Sequence, residues 1–382
     1  MNDSDILLRP IGGFFGLGLL DVPPVVDSIW QAWMSNGRPA VMAWTARAAL
    51  KWLIDLRRPG KVWLPAYTCR QLATAAPQSD LRFYPLTCEL SPDIPFLQQH
   101  VRAGDLVMAT NFFGWAPDEE FIASAAERPD VIWVEDRAHC LWMERQPWAS
   151  WLLYSPRKLL GVPDGGILIT QDRSMFPESS WGSGDAAVAI PELMRFEDRN
   201  EIDNSTWHAA FRCREARFSA ELRPMSQLTA ALLRRIPLRL LVEARQRNYR
   251  FLAEQLSPYQ AWQKPVEGVA PFGLPIMIEN AAGLSAALAA ERLFCSRHWA
   301  SEDLAAGAVE FRWEHSVAER LLTLPCDHRY DEAGLKRLVE AVRRLAPAPR
   351  LDRNGRPLKI DSLSARLPQC SPVATAGGIA AL

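Results

Sequence analysis

Along the first 170 residues, short apolar runs alternate with stretches whose apolar positions recur every three to four residues. Val62-Trp63-Leu64-Pro65, Leu81 to Tyr84, Leu106 to Thr110, Val131-Ile132-Trp133-Val134, Trp151 to Tyr154 and Ile167 to Thr170 have the length and composition of buried strands. Between them, Val26, Ile29, Trp30 and Trp33 are spaced as on a helix that Asn36-Gly37 would end, and a second helix follows Thr45-Ala46. Ala66 to Cys69 is read as the start of another helix. Strands alternating with helices predict an α/β fold: a mostly parallel sheet with helices on both faces.

From Gln171 to Arg223 the periodicity fades into glycine, acidic and aromatic residues. It returns as strong helix from Pro224 to Leu256, with Pro237 expected to break the run. Beyond it, strands at Gly273 to Ile278 and Glu310 to Trp313 and helices at Ala282 to Ala290 and Asp331 to Leu345 predict a smaller C-terminal α+β domain. The expected organisation is an N-terminal arm over residues 1–25, a large domain over 26–235, a small domain over 236–346 and a mobile tail over 347–382. The arm carries Ile11-Gly12-Gly13-Phe14-Phe15-Gly16, too glycine-rich for a helix and too apolar for a free tail. It is expected to lie against another surface, such as a partner subunit.

Composition narrows the function. Forty-three basic residues nearly cancel 44 acidic ones, so no electrostatic case exists for nucleic acid or an anionic membrane as the main partner. With no signal-peptide pattern at the start and no apolar run near the roughly 20 residues of a bilayer helix, a cytoplasmic location is expected. The seven cysteines are scattered without a CxxC pair, and no His-x-x-x-His pair occurs, so neither a disulfide framework nor a metal site is expected.

Ligands in open α/β sheets bind beyond the carboxyl ends of the strands. Tyr67, Asn111, Asp136 and the run Ser155-Pro156-Arg157-Lys158 all fall at such ends. Of Lys51, Lys61, Lys158, Lys264, Lys336 and Lys359, only Lys158 follows an apolar strand and precedes a glycine turn, Gly165-Gly166. A carboxylate and a lysine on neighbouring strand ends are what pyridoxal 5'-phosphate (PLP) needs: an acid to keep the pyridine nitrogen protonated and an amine for a Schiff base. Plainer readings stand beside these. Lys158 also suits a surface turn, and Asp136 also suits a helix cap or a salt bridge to Arg137 or Arg157. Glu135 points to the opposite strand face, His139 is equally at home as a structural histidine, and Thr45 as an ordinary helix cap.

In their order, several of these pieces resemble the DegT-type aminotransferases, fold-type I PLP enzymes that act on nucleotide-linked keto sugars. The resemblance is carried by Thr45 to Leu50, Leu64-Pro65-Ala66-Tyr67-Thr68, Asn111-Phe112-Phe113-Gly114, Glu135-Asp136-Arg137-Ala138-His139, Ser155 to Lys158 with Asp164-Gly165-Gly166, Arg223-Pro224-Met225-Ser226 and Leu324-Pro325-Cys326-Asp327. It implies a Schiff base at Lys158, a pyridine-nitrogen contact at Asp136, ring contacts from Tyr67 and His139, and phosphate contacts from Ala46, Arg47 and Ser155. It also implies a homodimer and an amino group passing from a donor such as glutamate to a keto acceptor, with dehydration or elimination, or a non-catalytic paralogue, as alternatives. The family's dehydratases are expected to replace the lysine that Lys158 matches. The chain departs from the family pattern at Ala46, Arg47, Cys69 and Glu221, where a glycine, a threonine, a stacking aromatic and an asparagine are usual. The stretch 171–223, Arg297-His298-Trp299 and Phe311-Arg312-Trp313 are read as candidate substrate walls.

Overall fold

A computed structural model describes residues 11–12, 25–34, 37–78, 80–170, 184–198 and 204–346. The predicted tail and most of the arm lie outside these. After the short β1 (Ile11–Gly12), a seven-stranded sheet is built from β2 (Ala40–Ala43), β3 (Val62–Pro65), β4 (Leu81–Tyr84), β5 (Leu106–Thr110), β6 (Ile132–Asp136), β7 (Trp151–Tyr154) and β8 (Gly166–Thr170). Its order is β2-β8-β7-β6-β5-β3-β4. All pairings from β7 through β4 are parallel, and only β8 runs against its neighbours β7 and β2. The mostly parallel α/β sheet expected from the alternation is therefore present.

β3, β5, β6, β7 and β8 are buried at every position, the mark of strands covered on both faces. Because β8 is antiparallel to β7, its first residue lies at the same sheet edge as the end of β7, with Ile167 opposite Tyr154. β2 ends there too, with Ala43 opposite Gly166. The helix Ala46–Arg57 starts at this edge, and its cap is Thr45, whose hydroxyl accepts from the Ala48 amide at 3.1 Å. A cap of this kind stabilises a helix by about 1 kcal/mol. Gly166 is required here: a Cβ on it would lie 2.1 Å from the carbonyl carbon of Thr45.

The remaining strands are β9 (Gly273–Met277), β10 (Leu293–Phe294) and β11 (Leu321–Pro325), with β11 antiparallel to β9. The helices Leu238–Gln255, Ala281–Ala290 and Glu332–Leu345 pack with them around a cluster that includes Leu252, Leu274, Leu288, Leu322 and Leu338. Pro237 does end the helical run, separating Gln227–Leu233 from Leu238–Gln255. Among the described residues, no helix is long and apolar enough to cross a membrane.

Two local expectations need correction, and two other segments gain definite elements. Glu310 to Trp313 is not a strand; Arg312–Arg320 is a helix, because Phe311, Glu314, His315, Val317 and Ala318 recur at helical spacing and are buried together. Ala66 to Thr68 is a bend, and a single helical turn begins only at Arg70, since the backbone at Cys69 is tied in an antiparallel bridge to Leu304. The weakly patterned stretch holds two helices, Ile190–Glu197 and Ser205–Arg217. Of the arm, Ile11–Gly12 lies against its own chain, pairing in parallel with Leu293–Phe294.

Candidate active site

The parallel sheet delivers Asp136, the last residue of β6, and Ser155, just past β7, to one edge. A short 3-10 turn, Pro156–Lys158, then carries the lysine back over that edge. Lys158 Nζ lies 3.3 Å from His139 Nε2. Three predicted residues thus meet: Asp136, His139 and Lys158, with the lysine's charge acting on both others.

Asp136 is 5% exposed. Its Oδ1 accepts from the Ala138 amide at 2.9 Å and its Oδ2 from the Thr110 hydroxyl at 3.1 Å. Burial raises its pKa above the ordinary carboxylate value, against the opposing pull of Lys158 and these two donors. Neither arginine that might have neutralised it does so. Arg137 Nε is bonded to Glu135 Oε1 at 2.7 Å, and Arg157 to Glu215 at 2.5 Å. Glu135 belongs to the other strand face, where it also accepts from Asn111 Nδ2 at 2.8 Å. Among the described residues no basic side chain forms an ion pair with Asp136. A buried carboxylate left this way is costly and calls for a cationic partner.

His139 is fully buried, and burial, Lys158 and His298 together hold its imidazole neutral, well below the usual pKa. Its ring stacks on Phe272 at 4.3 Å and on Trp299 at 5.6 Å, and its Nδ1 finds no hydrogen-bond partner among the described residues. Tyr67 is also fully buried, with its ring 5.7 Å from both Phe112 and Trp299 and its hydroxyl donating to the carbonyl of His298. Burial holds this phenol protonated.

Ala46 opens its helix beside Gly165-Gly166, and the backbone of Thr45 bridges Gly165. The Arg47 guanidinium bonds Gln71 and, at 3.0 Å, the carbonyl of Phe218. Burial and the charge of Arg157 lower its pKa. Asp164 holds the next element in place, its carboxylate accepting from the Ser226 amide and hydroxyl, both at 2.7 Å, at the start of Gln227–Leu233.

A cavity of about 630 Å³ opens in front of Ser155 and Lys158. Ala46, Arg47, Tyr67, Asp136 and His139 do not line it. Among the described residues, Arg157, Arg195, Arg214, Arg245, Arg292 and Arg329 border it, against Glu215 and Asp327, so this part of its wall is cationic. Aromatic surface comes from Trp207, Phe211, Phe272, Phe294 and Trp299. Of the candidate walls, His298 and Trp299 reach the cavity, as do residues of Ile190–Glu197 and Ser205–Arg217. Phe311 instead packs on Ala66 and Ala306, and Trp313 joins the cluster around Tyr84. Phe272 and the arginines at 245, 292 and 329 were not singled out from the sequence. Their signal is tertiary, because each comes from a different element and none sits in a motif.

No protein-family model matches the sequence, and no curated protein matches it either. Solved structures do. A DegT DnrJ EryC1 StrS aminotransferase from Brucella abortus superposes with a TM-score of 0.59 at 18% identity, covering 86% of this chain and 91% of its own. Spr1654 from Streptococcus pneumoniae in its PLP form gives 0.60 at 13% identity, over 90% of this chain and 95% of its own. The GDP-4-keto-6-deoxymannose-3-dehydratase ColD, with bound GDP-perosamine, gives 0.58 at 14% identity, over 86% and 94%. The chain therefore has the fold-type I architecture that sugar aminotransferases of the DegT type share with a sugar dehydratase.

Proposed function

We propose that this chain is a PLP-dependent aminotransferase that moves an amino group from an amino acid, glutamate being the expected donor, to a keto acceptor, of which a nucleotide-linked keto sugar is the best candidate. The observation that carries the reading is that a buried Asp136, ion-paired with no arginine among the described residues, and Lys158 lie at the carboxyl edge of one parallel sheet, with Lys158 Nζ 3.3 Å from His139 Nε2. The residues fit the cofactor on chemical grounds: a carboxylate that needs a cation, a buried imidazole nitrogen that needs a partner, and an amine 3.3 Å from that imidazole. When bound, PLP supplies an electron sink for the charge that builds on the donor's α-carbon.

The chain's own residues then have distinct tasks. Asp136 holds the ring nitrogen protonated. His139, kept neutral by burial, offers its imidazole to the ring or its hydroxyl, and Tyr67 supplies an apolar face. Ser155 and the first amides of Ala46–Arg57, at Ala46 and Arg47, would hold the phosphate. Lys158 Nζ would hold the cofactor and, as a free amine beside the donor, would take and return the α-proton. The cationic wall of the cavity favours an anionic acceptor, as a nucleotide-linked sugar is. A homodimer in the cytoplasm is the setting we propose.

The likeness to ColD keeps dehydration as a second reading on the same scaffold. Absorbance spectra separate them. PLP should give a visible band that Lys158→Ala abolishes, and glutamate alone should convert it to the pyridoxamine form. A band that glutamate leaves unchanged would favour the second reading, and no band in excess PLP would sink both.

A further inference from the structure

A buried cation joins the backbone behind Lys158 to the aromatic ring against His139. Arg245, on the helix Leu238–Gln255, is 1% exposed. Its Nη2 donates to the carbonyl of Leu159 at 3.0 Å, and its Nη1 to the carbonyls of Pro271 and Phe272 at 3.0 and 3.1 Å. Leu159 directly follows Lys158 and caps the turn Pro156–Lys158. Phe272 stacks on His139, with ring centroids 4.3 Å apart and an interplanar angle of 12°. Because Lys158 Nζ lies 3.3 Å from His139 Nε2, these contacts close a circuit that runs from Arg245 through Leu159, Lys158, His139 and Phe272 back to Arg245.

The Phe272 side of the circuit is fastened independently. Its amide donates to the Phe113 carbonyl at 2.8 Å, and the Ala270 amide donates to the Trp142 carbonyl at 2.9 Å. Gln246, next to Arg245 on the helix, donates to the carbonyls of Val266 and Val269 at 3.0 and 2.8 Å. The turn that carries Lys158 is bonded largely to itself, with the Leu159 and Leu160 amides both donating to the Pro156 carbonyl. Arg245 therefore ties this turn to a fixed reference. A guanidinium is a planar fork whose donors point in set directions, so it serves carbonyls of two segments at once and fixes their separation; an ammonium on a flexible stem has no such fork. Burying a charge is costly, so packing alone does not explain an arginine at this depth.

We propose that Arg245 is a positioning residue: by holding Leu159 and Phe272 together, it sets the separation of the Lys158 amine and the His139 imidazole. The inference rests on the function proposed above, in which the Lys158 nitrogen condenses with the aldehyde of PLP, forming a C=N bond and releasing the aldehyde oxygen as water. Arg245 takes no part in that step itself and acts through Lys158.

Two measurements on the purified full chain test it. The first is the rate at which the visible band forms on adding PLP, followed by stopped-flow absorbance. Misplacing a reacting group by about 1 Å costs up to about a hundredfold in rate, so Arg245→Met and Arg245→Lys should both slow band formation about tenfold or more. Arg245→Ala should be equally slow in buffer and faster again with ethylguanidinium, but not with the same concentration of sodium chloride; a purely structural loss gives no such rescue. The second measurement needs no PLP. Crystal structures of the unloaded proteins should show Lys158 Nζ within hydrogen-bond reach of His139 Nε2 in the wild type and beyond it in Arg245→Lys. Where Arg245→Met or Arg245→Ala fails to fold, Arg245→Lys, which keeps the buried charge, carries both measurements. Wild-type rates in the folded variants, or an unchanged Lys158–His139 contact in Arg245→Lys, would overturn the positioning role while leaving PLP binding intact. No band in the wild type would overturn the proposed function, and the crystal comparison would then decide on Arg245 by itself.

Discussion

Glu314 offers the sharpest quantitative test of the packing. It lies on the helix Arg312–Arg320, is 2% exposed, and its Oε1 accepts from the Leu86 amide at 2.8 Å. Burial drives its pKa up to about 7; the bond from Leu86 opposes this and the nearby Asp93 reinforces it. In the unfolded chain the same carboxyl returns to the ordinary 4.5. The folded state therefore holds the proton longer than the unfolded state. Stability is fullest below about pH 4.5, falls as pH rises toward 7, and is flat above that. The interval corresponds to a loss of about 3 kcal/mol.

Glu314→Gln keeps the carbonyl oxygen that Leu86 uses and removes the charge. The variant should match the wild type near pH 4.5 and exceed it by about 3 kcal/mol at pH 8. Urea denaturation of both proteins at several pH values provides the measurement, and taking the difference cancels every other titrating group. Parallel stability profiles, with no divergence between pH 4.5 and 8, would refute the assignment of a buried, uncompensated carboxyl to this position.

Other consequences follow from the same geometry. Gly166→Ala forces a Cβ to 2.1 Å from the Thr45 backbone, so the start of the helix Ala46–Arg57 must shift; a loss of about 3 kcal/mol or more, read as a fall in the urea midpoint, is expected. Arg137→Met strands the fully buried Glu135 and should cost about 3–5 kcal/mol by the same assay, whereas replacing the exposed Arg223 of the Arg223–Glu221 pair should cost under about 1 kcal/mol. Burial, helped by Lys158, pushes the His298 imidazole down to about 3, so its contribution is complete above the unfolded value of 6.5 and is lost as pH falls from 6.5 toward 3. His298→Gln should flatten that part of a melting-temperature profile.

The strand ends were legible because burial on both faces writes continuous apolar runs into the chain, and the chemistry-bearing residues follow those runs directly. Asp136 and Lys158 are of this kind. Which partner each would take was not legible: Arg137 is adjacent to Asp136 in sequence yet turns with Glu135 to the opposite strand face, and only the sheet shows it. The cavity wall was legible only as a region. Its arginines come from the helices Ile190–Glu197, Ser205–Arg217 and Leu238–Gln255, from the turn Pro156–Lys158 and from loops at Arg292 and Arg329, and are gathered by tertiary packing. Trp299 sits between β10 and a short turn, and its ring contacts with Tyr67 and Lys158 join residues far apart along the chain.

The central claim is that Lys158, among Lys51, Lys61, Lys158, Lys264 and Lys336 of the described chain and Lys359 beyond it, is the amine that takes PLP. Incubating the purified protein with PLP, reducing with borohydride and mapping the fixed pyridoxyl group by peptide mass spectrometry addresses it directly. The account predicts a single labelled peptide containing Lys158, with labelling weakened in Asp136→Asn and abolished in Lys158→Ala. Label spread over the surface lysines, or none at Lys158, would contradict it.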